Sequence, residues 1–181
     1  MAEPYRGRQQ GRWLTLADRK PRWLSPEEQS AWLGLIAVVE LLPGALDSQL
    51  QRDAGISHFE YMAMAMLSEA PDRTLRMTAL AARTKSTLPR LSHVVTRLVE
   101  RGYVERVPCP EDKRATNAHL TVAGWEHIQA SAPGHVASVN ALVIDPLSTA
   151  QIEQLRDITA AILSRLGPEA RSRGTVPMKD S

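Results

Sequence analysis

The sequence predicts a mainly α-helical chain carrying one small β-hairpin, and three observations predict it. Residues 86–101 have a strongly amphipathic helical period. Two short β-prone runs follow it directly, and further helical periods occupy the chain on both sides. In the helix, Leu88, Leu91, Val95 and Leu98 recur at spacings of three and four and share one face, which Val94 and Val99 widen. The opposite arc carries Ser86, Pro89, Arg90, His93, Arg97 and Arg101, with Glu100 as its one acid. One side therefore packs on a core while the other meets water or a polar, anionic partner.

The ends of this helix are readable. Ser86 is the expected N-cap, because its hydroxyl can accept an unpaired backbone N–H of the first turn. Pro89 falls in that turn, where a missing N–H costs no helical bond. Gly102 suits the left-handed position that stops a helix. The residues 103–107 (YVERV) then alternate as a strand, and Thr116–Thr121 can pair back on them. Between the two lies 108-PCPEDKRA-115, expected as a long tip holding Lys113 and Arg114.

The preceding segments complete the unit. Residues 77–85 (MTALAARTK) form a short Ala/Leu-rich helix separated from the next by almost nothing. Residues 57–70 begin with Ser57 and Glu60 at capping-box spacing, and Phe59, Met62, Met66 and Leu67 are expected on the buried side. A helix–turn–helix followed by a hairpin is a winged helix-turn-helix. Its second helix can enter a major groove while the hairpin reaches the adjacent backbone or minor groove. Ser86, Thr87, Pro89, Arg90, His93, Arg97, Lys113 and Arg114 are the candidate contacts to double-stranded DNA, Arg being the commonest reader of guanine. Asp112 is expected to orient the wing by pairing with a nearby Arg. Arg101 and Arg106 are divided between DNA contact and pairing with Glu100, Glu105 or Asp112.

Composition sets the bounds. At 181 residues, one domain is the prior, and 43% hydrophobic residues suffice for a core. The net charge of +2 announces nothing, but basic residues cluster in 86–114 and among residues 1–24, where Arg6, Arg8, Arg12, Arg19, Lys20 and Arg22 oppose Glu3 and Asp18. One cysteine, with no apolar run after the N-terminal arginines, leads to the expectation of a cytoplasmic protein. The run 33-LGLIAVVELLPGAL-46 reads as too short for a membrane span. Enzyme motifs are missing. The five histidines make no zinc-binding spacing, and no nucleophile elbow, phosphate loop or dinucleotide fingerprint is present. No cofactor and no metal are expected.

The flanking segments read as a helical dimerisation frame. Residues 25–52 open with Ser25, Pro26 and Glu28 in N-cap, N1 and N3 positions and carry Trp32, Leu35, Ile36, Val39, Leu42 and Leu46. Pro43–Gly44 is expected to kink this helix. Residues 122–143 and 149–166 give two more helices, the last capped by Ser148 and Gln151 and striped with Ile152, Leu155, Ile158, Ile162, Leu163 and Leu166. Within one copy these helices have little to pack against. Residues 1–24 form a basic arm, either adding phosphate contacts or folding back through Trp13 and Trp23. Residues 167–181 are expected to be a mobile tail.

Leu80–Ala81, the run 90-RLSHVVTRLVERGYVER-106 and the wing signature 112-DKRATNAHLT-121 resemble the multiple-antibiotic-resistance regulator (MarR) family, with long helices on both sides. The resemblance covers about Ser25 to Leu166. It implies a single domain over 25–166, with the winged helix-turn-helix at 57–121 and dimerisation helices at 25–52 and 122–166. It further implies a homodimeric transcriptional regulator, a repressor on a pseudo-palindromic operator. Arg114 would be the minor-groove arginine, with Lys113 on the backbone. The family commonly takes phenolic or other amphipathic effectors between frame and lobe, where Trp32, His58, Tyr61 and Trp125 are the candidate lining. Ala118 departs from the family pattern, which has a larger aliphatic residue, so looser packing is expected there. Two other readings remain open: thiol-based redox sensing through Cys109, and non-specific architectural DNA binding.

Overall fold

The computed structural model describes residues 22–109 and 112–166, with Lys113 described by its backbone alone. The N-terminal arm before Arg22 and the tail after Leu166 lie outside the described residues. The order is α1 (Pro26–Ala54), α2 (His58–Ser68), β1 (Thr74–Arg76), α3 (Met77–Arg83), α4 (Leu88–Glu100), β2 (Val104–Cys109), β3 (Asp112–Leu120), α5 (Val122–Val139) and α6 (Thr149–Leu166). A short 3-10 turn at Pro71–Arg73 precedes β1, and a π-helical turn at Asn140–Ile144 follows α5. The expected helix over 122–143 thus changes hydrogen-bond register after Val139. The chain divides into two compact units, one ending at Val38 and one beginning at Val39.

Capping fixes most helix starts. Ser25 and Glu28 close a reciprocal box on α1, with Glu28 N–H donating to Ser25 Oγ at 3.2 Å and Ser25 N–H to Glu28 Oε2 at 2.9 Å. Arg22 also donates to Glu28, and these bonds hold the Glu28 carboxyl down at about 2. The same device starts α2 through Ser57 and Glu60 and α6 through Ser148 and Gln151. Helix α1 continues without interruption through Pro43 and Gly44. At 29 residues it is longer than its apolar run suggested, and by length and composition alone it would suffice to cross a membrane.

The core of the second unit is built from α2, α3, α4 and the sheet, joined by Leu50 near the end of α1 and Ile128 of α5. Leu50, Ile56, Met64, Leu67, Leu80, Leu91, Val95, Leu98, Val104 and Leu120 are almost entirely buried. On α2 the buried line runs through Ala63, Met64 and Leu67, with Phe59 and Met66 half-buried against it, while Met62 is half-buried at an open concavity. Ala118 is fully buried in the sheet, in register with Leu75 and Arg106.

The sheet has three antiparallel strands in the order β1-β3-β2. Strand β1 has no counterpart in the sequence reading, because three residues are too few to show alternation. The hairpin strands also run further than expected, to Cys109 and from Asp112, so 108-PCPEDKRA-115 is mostly strand with a register shift at Pro108/Cys109. A charged stretch becomes strand here because its partner supplies the ladder; β-propensity yields to context.

Candidate nucleic-acid interface

The turn between α3 and α4 is set by backbone hydrogen bonds. Ser86 N–H donates to Ala81 O at 2.9 Å and Lys85 N–H to Ala82 O at 3.1 Å, with Lys85 at φ 51°. This is a Schellman closure of α3. Ser86 is consumed in ending α3 and does not cap α4. The N-cap is Thr87, whose side chain accepts from Arg90 N–H, and Pro89 follows at N2. The other end closes as expected: Tyr103 N–H reaches Leu98 O, Gly102 N–H reaches Val99 O, and Gly102 sits at φ 74°.

Helix α4 buries Leu91, Val94, Val95 and Leu98. Leu88, expected in that stripe, is exposed and lines the groove towards the wing. At about 100° per residue, the arc pointing away from the core holds Pro89, His93, Thr96 and Glu100. Each flank of that arc is tied down. On one flank, the Arg90 guanidinium stacks over the Phe59 ring at 4.7 Å and Arg97 Nε lies 3.2 Å from Glu60 Oε1. Arg101 Nη1 donates to Gly55 O at 2.7 Å on the same side. On the other flank, Arg106 of β2 donates to Ser92 O at 3.0 Å, Ser92 Oγ at 3.2 Å and Thr96 Oγ1 at 2.9 Å.

The wing has its own anchor. Asp112 pairs with Arg76 of β1 at 2.5 Å, and its other oxygen accepts Arg114 N–H at 3.0 Å. Asp112 thus ties the start of β3, next to the hairpin tip, to β1 and orients the backbone before the exposed Arg114. A groove of about 520 Å³ runs between wing and helix, lined by Arg76, Leu88, Ser92, Arg106 and Arg114 among others. Sequence reasoning missed Arg76 because it sits in the strand too short to be recognised. Arg101 and Arg106 both pair inside the lobe, with carbonyls and hydroxyls in place of the acids expected. Cys109 is a half-buried free thiol at the end of β2. Among the described residues, no cluster of three or more His, Cys, Asp or Glu is placed to hold a metal.

The four residues proposed around an effector do not all gather. His58 and Tyr61 pack on the His135 ring at 5.6 and 4.3 Å, while Trp125 lies under the Arg73 guanidinium at 4.5 Å. Trp32 belongs to the first unit and is half exposed. His58 also lines an open concavity of about 500 Å³ with Pro43, Asp47, Phe59, Met62 and Arg90.

Burial holds the His58, His127 and His135 imidazoles below the usual histidine value. Asp47 opposes this at His58, and the neighbouring His58 reinforces it at His135. At His127 a backbone bond to Ala54 opposes it and Arg101 reinforces it. His135 is 8% exposed, and among the described residues its Nδ1 has no hydrogen-bond partner. A depressed folded value means that the unfolded chain takes up protons first. The stabilisation is therefore complete above the unfolded value of about 6.5 and is lost as pH falls through the lower, folded values. Urea midpoints should drop between pH 7.5 and 5.5, and the drop should be smaller in His135→Leu. An equal drop in both proteins would remove His135 from this account.

A short helix, a tight turn, an exposed amphipathic helix and an anchored hairpin define a winged helix-turn-helix regulator. The sequence profile of the MarR family matches residues 54–115. The chain is 46% identical to Sco3205 of Streptomyces coelicolor, a MarR family transcriptional regulator solved in complex with DNA. The TM-score is 0.79, with 82% of this chain and 93% of that one covered. AbsC, a MarR family regulator of the same organism, is 36% identical with a TM-score of 0.77, covering 81% of this chain and 98% of that one. The HTH-type transcriptional repressor YetL of Bacillus subtilis is 29% identical over 89 residues, 49% of this chain; the match spans about half of the repressor, 53% of its length. The chain belongs to the MarR family of transcriptional regulators.

Proposed function

We propose that this protein is a homodimeric, sequence-specific DNA-binding repressor acting on a pseudo-palindromic operator. The observation that carries the reading is helix α4, which presents its N-terminal turn and the arc through His93 outward beside the wing, in a chain 46% identical to a regulator solved on DNA. Ser86, Thr87, Pro89, Arg90 and His93 face the major groove, and Lys113 and Arg114 reach backbone and minor groove from the wing. Repression follows the naming of YetL. The domain limits are those expected from the sequence, 57–121 for the DNA-reading lobe and 25–52 with 122–166 for the frame. The protein acts in the cytoplasm, where its DNA is.

Dimerisation is supported by α6, which buries none of its residues within one chain. Independently, the first half of α1 leaves Trp32, Leu33, Leu35 and Val38 exposed. A two-fold axis would set two α4 helices roughly 34 Å apart, one turn of DNA. Release by a small amphipathic or phenolic ligand is supported by the concavity that joins Phe59 and Met62 to His58 and Arg90. A ligand there would displace Arg90 and so favour a state with weaker DNA affinity.

The test is a titration on the protein's own upstream intergenic DNA against random duplex at two salt concentrations. The expected preference is about 10³-fold or more. Equal affinity for a genome-selected site and random duplex would support architectural binding instead.

A further inference from the structure

We infer that Arg97 and Arg101 are positioning residues that fasten the recognition helix to the corner between α1 and α2, and that they do not read DNA. This rests on the DNA-binding reading above and assigns a different task to part of the basic face. Sequence alone makes Arg97 look like Arg90 or His93, an exposed polar residue on α4. The structure separates them.

Helix α1 ends at Ala54, and Gly55 turns the chain in the left-handed region at φ 65°. Ile56 is fully buried directly after it, and α2 begins at His58. The corner is rigid because its polar groups are used. Glu60 Oε2 accepts Ser57 N–H at 2.7 Å and Ser57 Oγ–H at 2.8 Å, while Glu60 N–H donates to Ser57 Oγ at 3.2 Å. The Glu60 side chain is 4% exposed, so its charge has lost most of its water. Its remaining oxygen, Oε1, faces Arg97 Nε. A desolvated carboxylate needs such a partner far more than an exposed arginine needs an acid.

Arg101 lies one helical turn beyond Arg97, on the same side of α4. Its bond to Gly55 O reaches the carbonyl at the left-handed turn itself. Two guanidinium groups in line thus hold the C-terminal half of α4 to both ends of the corner. The outward residues of the N-terminal half, Thr87, Pro89 and His93, lie beyond these two anchors, with Arg90 on Phe59 and Arg106 on Ser92 as that half's own contacts. A small rotation of α4 at the anchors would move that end across the groove. The contribution of Arg97 to DNA binding is then the angle of the helix, and operator contacts that need correct register suffer more than phosphate contacts to any duplex.

Five full-length proteins test this: wild type, Arg97→Ala, Glu60→Gln, the double variant of these two and Arg97→Lys. Gln keeps the acceptor that the α2 cap requires but removes the charge facing Arg97. Affinity is measured by fluorescence anisotropy for operator and for random duplex across a salt series. The expected result is a loss of about tenfold in the operator-to-random ratio for Arg97→Ala and for Glu60→Gln. The slope of log K against log salt should stay as in wild type, because no phosphate contact is removed. The double variant should be no worse than Arg97→Ala, since both remove one interaction. Arg97→Lys, which keeps a cation near Glu60, should recover part of the ratio.

A slope reduced by about 0.9 in Arg97→Ala, with Glu60→Gln binding like wild type, would make Arg97 a phosphate contact and overturn the inference. Equal losses on both duplexes, leaving the ratio unchanged, would reduce the pair to a folding role and overturn it too. If Arg97→Ala does not fold, Glu60→Gln decides by the same ratio. A wild-type protein that prefers no duplex would refute the DNA-binding reading itself, and that outcome is visible before any variant is compared.

Discussion

Gly124→Ala should strongly destabilise the folded protein. Gly124 is in the first turn of α5, where its N–H donates to the Thr121 side chain at 3.0 Å. A methyl group there would sit 2.1 Å from Tyr103 O and 2.9 Å from Tyr103 C, with Leu120 Cδ1 at 2.7 Å. The leucine can rotate, but the carbonyl cannot. Tyr103 O accepts Thr121 N–H at 3.1 Å, and Tyr103 N–H closes α4 on Leu98 O at 2.9 Å. Val104, buried, follows at once as the start of β2. The clash therefore falls where the recognition helix ends, the wing begins and α5 starts. Relief requires moving one of the three. Overpacking of a rigid site costs roughly 1–3 kcal/mol and more where backbone must shift, so a loss of about 3 kcal/mol or more is expected in urea denaturation. Against a typical total of about 5–15 kcal/mol, that removes between a fifth and more than half of the stability. A midpoint within error of wild type would show that α5 does not approach Tyr103 this closely.

The same junction shows what a sequence can and cannot reveal. Its local parts are legible. Gly102 marks the end of α4, and the Ser–Glu and Ser–Gln spacings mark α1, α2 and α6, because a cap is a contact between residues three apart. The cap of α4 was legible only to within one residue. Ser86 and Thr87 carry the same chemistry, and what separates them is the left-handed Lys85, which directs Ser86 back onto α3. Non-local parts were hidden. Glu60 and Arg97 are 37 positions apart, and nothing in either segment names the other. Arg76 and Asp112 meet only because β1 pairs with β3. The amphipathic period of α4 placed Leu91, Val94, Val95 and Leu98 on the core face, where they are buried, but also Leu88 and Val99, which are exposed, and it could not say which basic residues on the other arc were already engaged. The neighbours of the expected effector lining were hidden for the same reason. Tyr61 and His58 converge on His135, whose burial no local pattern signals, while Trp125 is claimed by Arg73.

Ile158→Asp together with Leu155→Asp should convert the protein from two-chain to one-chain sedimentation and disable operator binding. Helix α6 is well formed over Thr149–Leu166 yet buries no residue within the chain, and Ile158 is 57% exposed. Ile152, Leu155, Ile162, Leu163 and Leu166 extend the same apolar stripe. Each such side chain gains about 1.5–3 kcal/mol when fully covered, so the stripe is a strong reason to associate. In a two-fold interface every substitution acts twice, and a carboxylate placed without a partner against apolar side chains costs several kcal/mol per copy. The dissociation constant of the dimer should rise by a factor of about 10³ or more, in favour of the single chain. DNA binding should follow it, because one lobe on one half-site loses the effective concentration that a linked second lobe provides, about 10²-fold or more. The lobe itself should keep its fold, since Leu50, Met64, Leu91 and Leu98 are buried independently of α6, and near-wild-type binding to random duplex at low salt would show that it has. Sedimentation of the wild type as a single chain at micromolar concentration would refute the dimer. Two-chain sedimentation of the double variant would place the interface on a face other than α6.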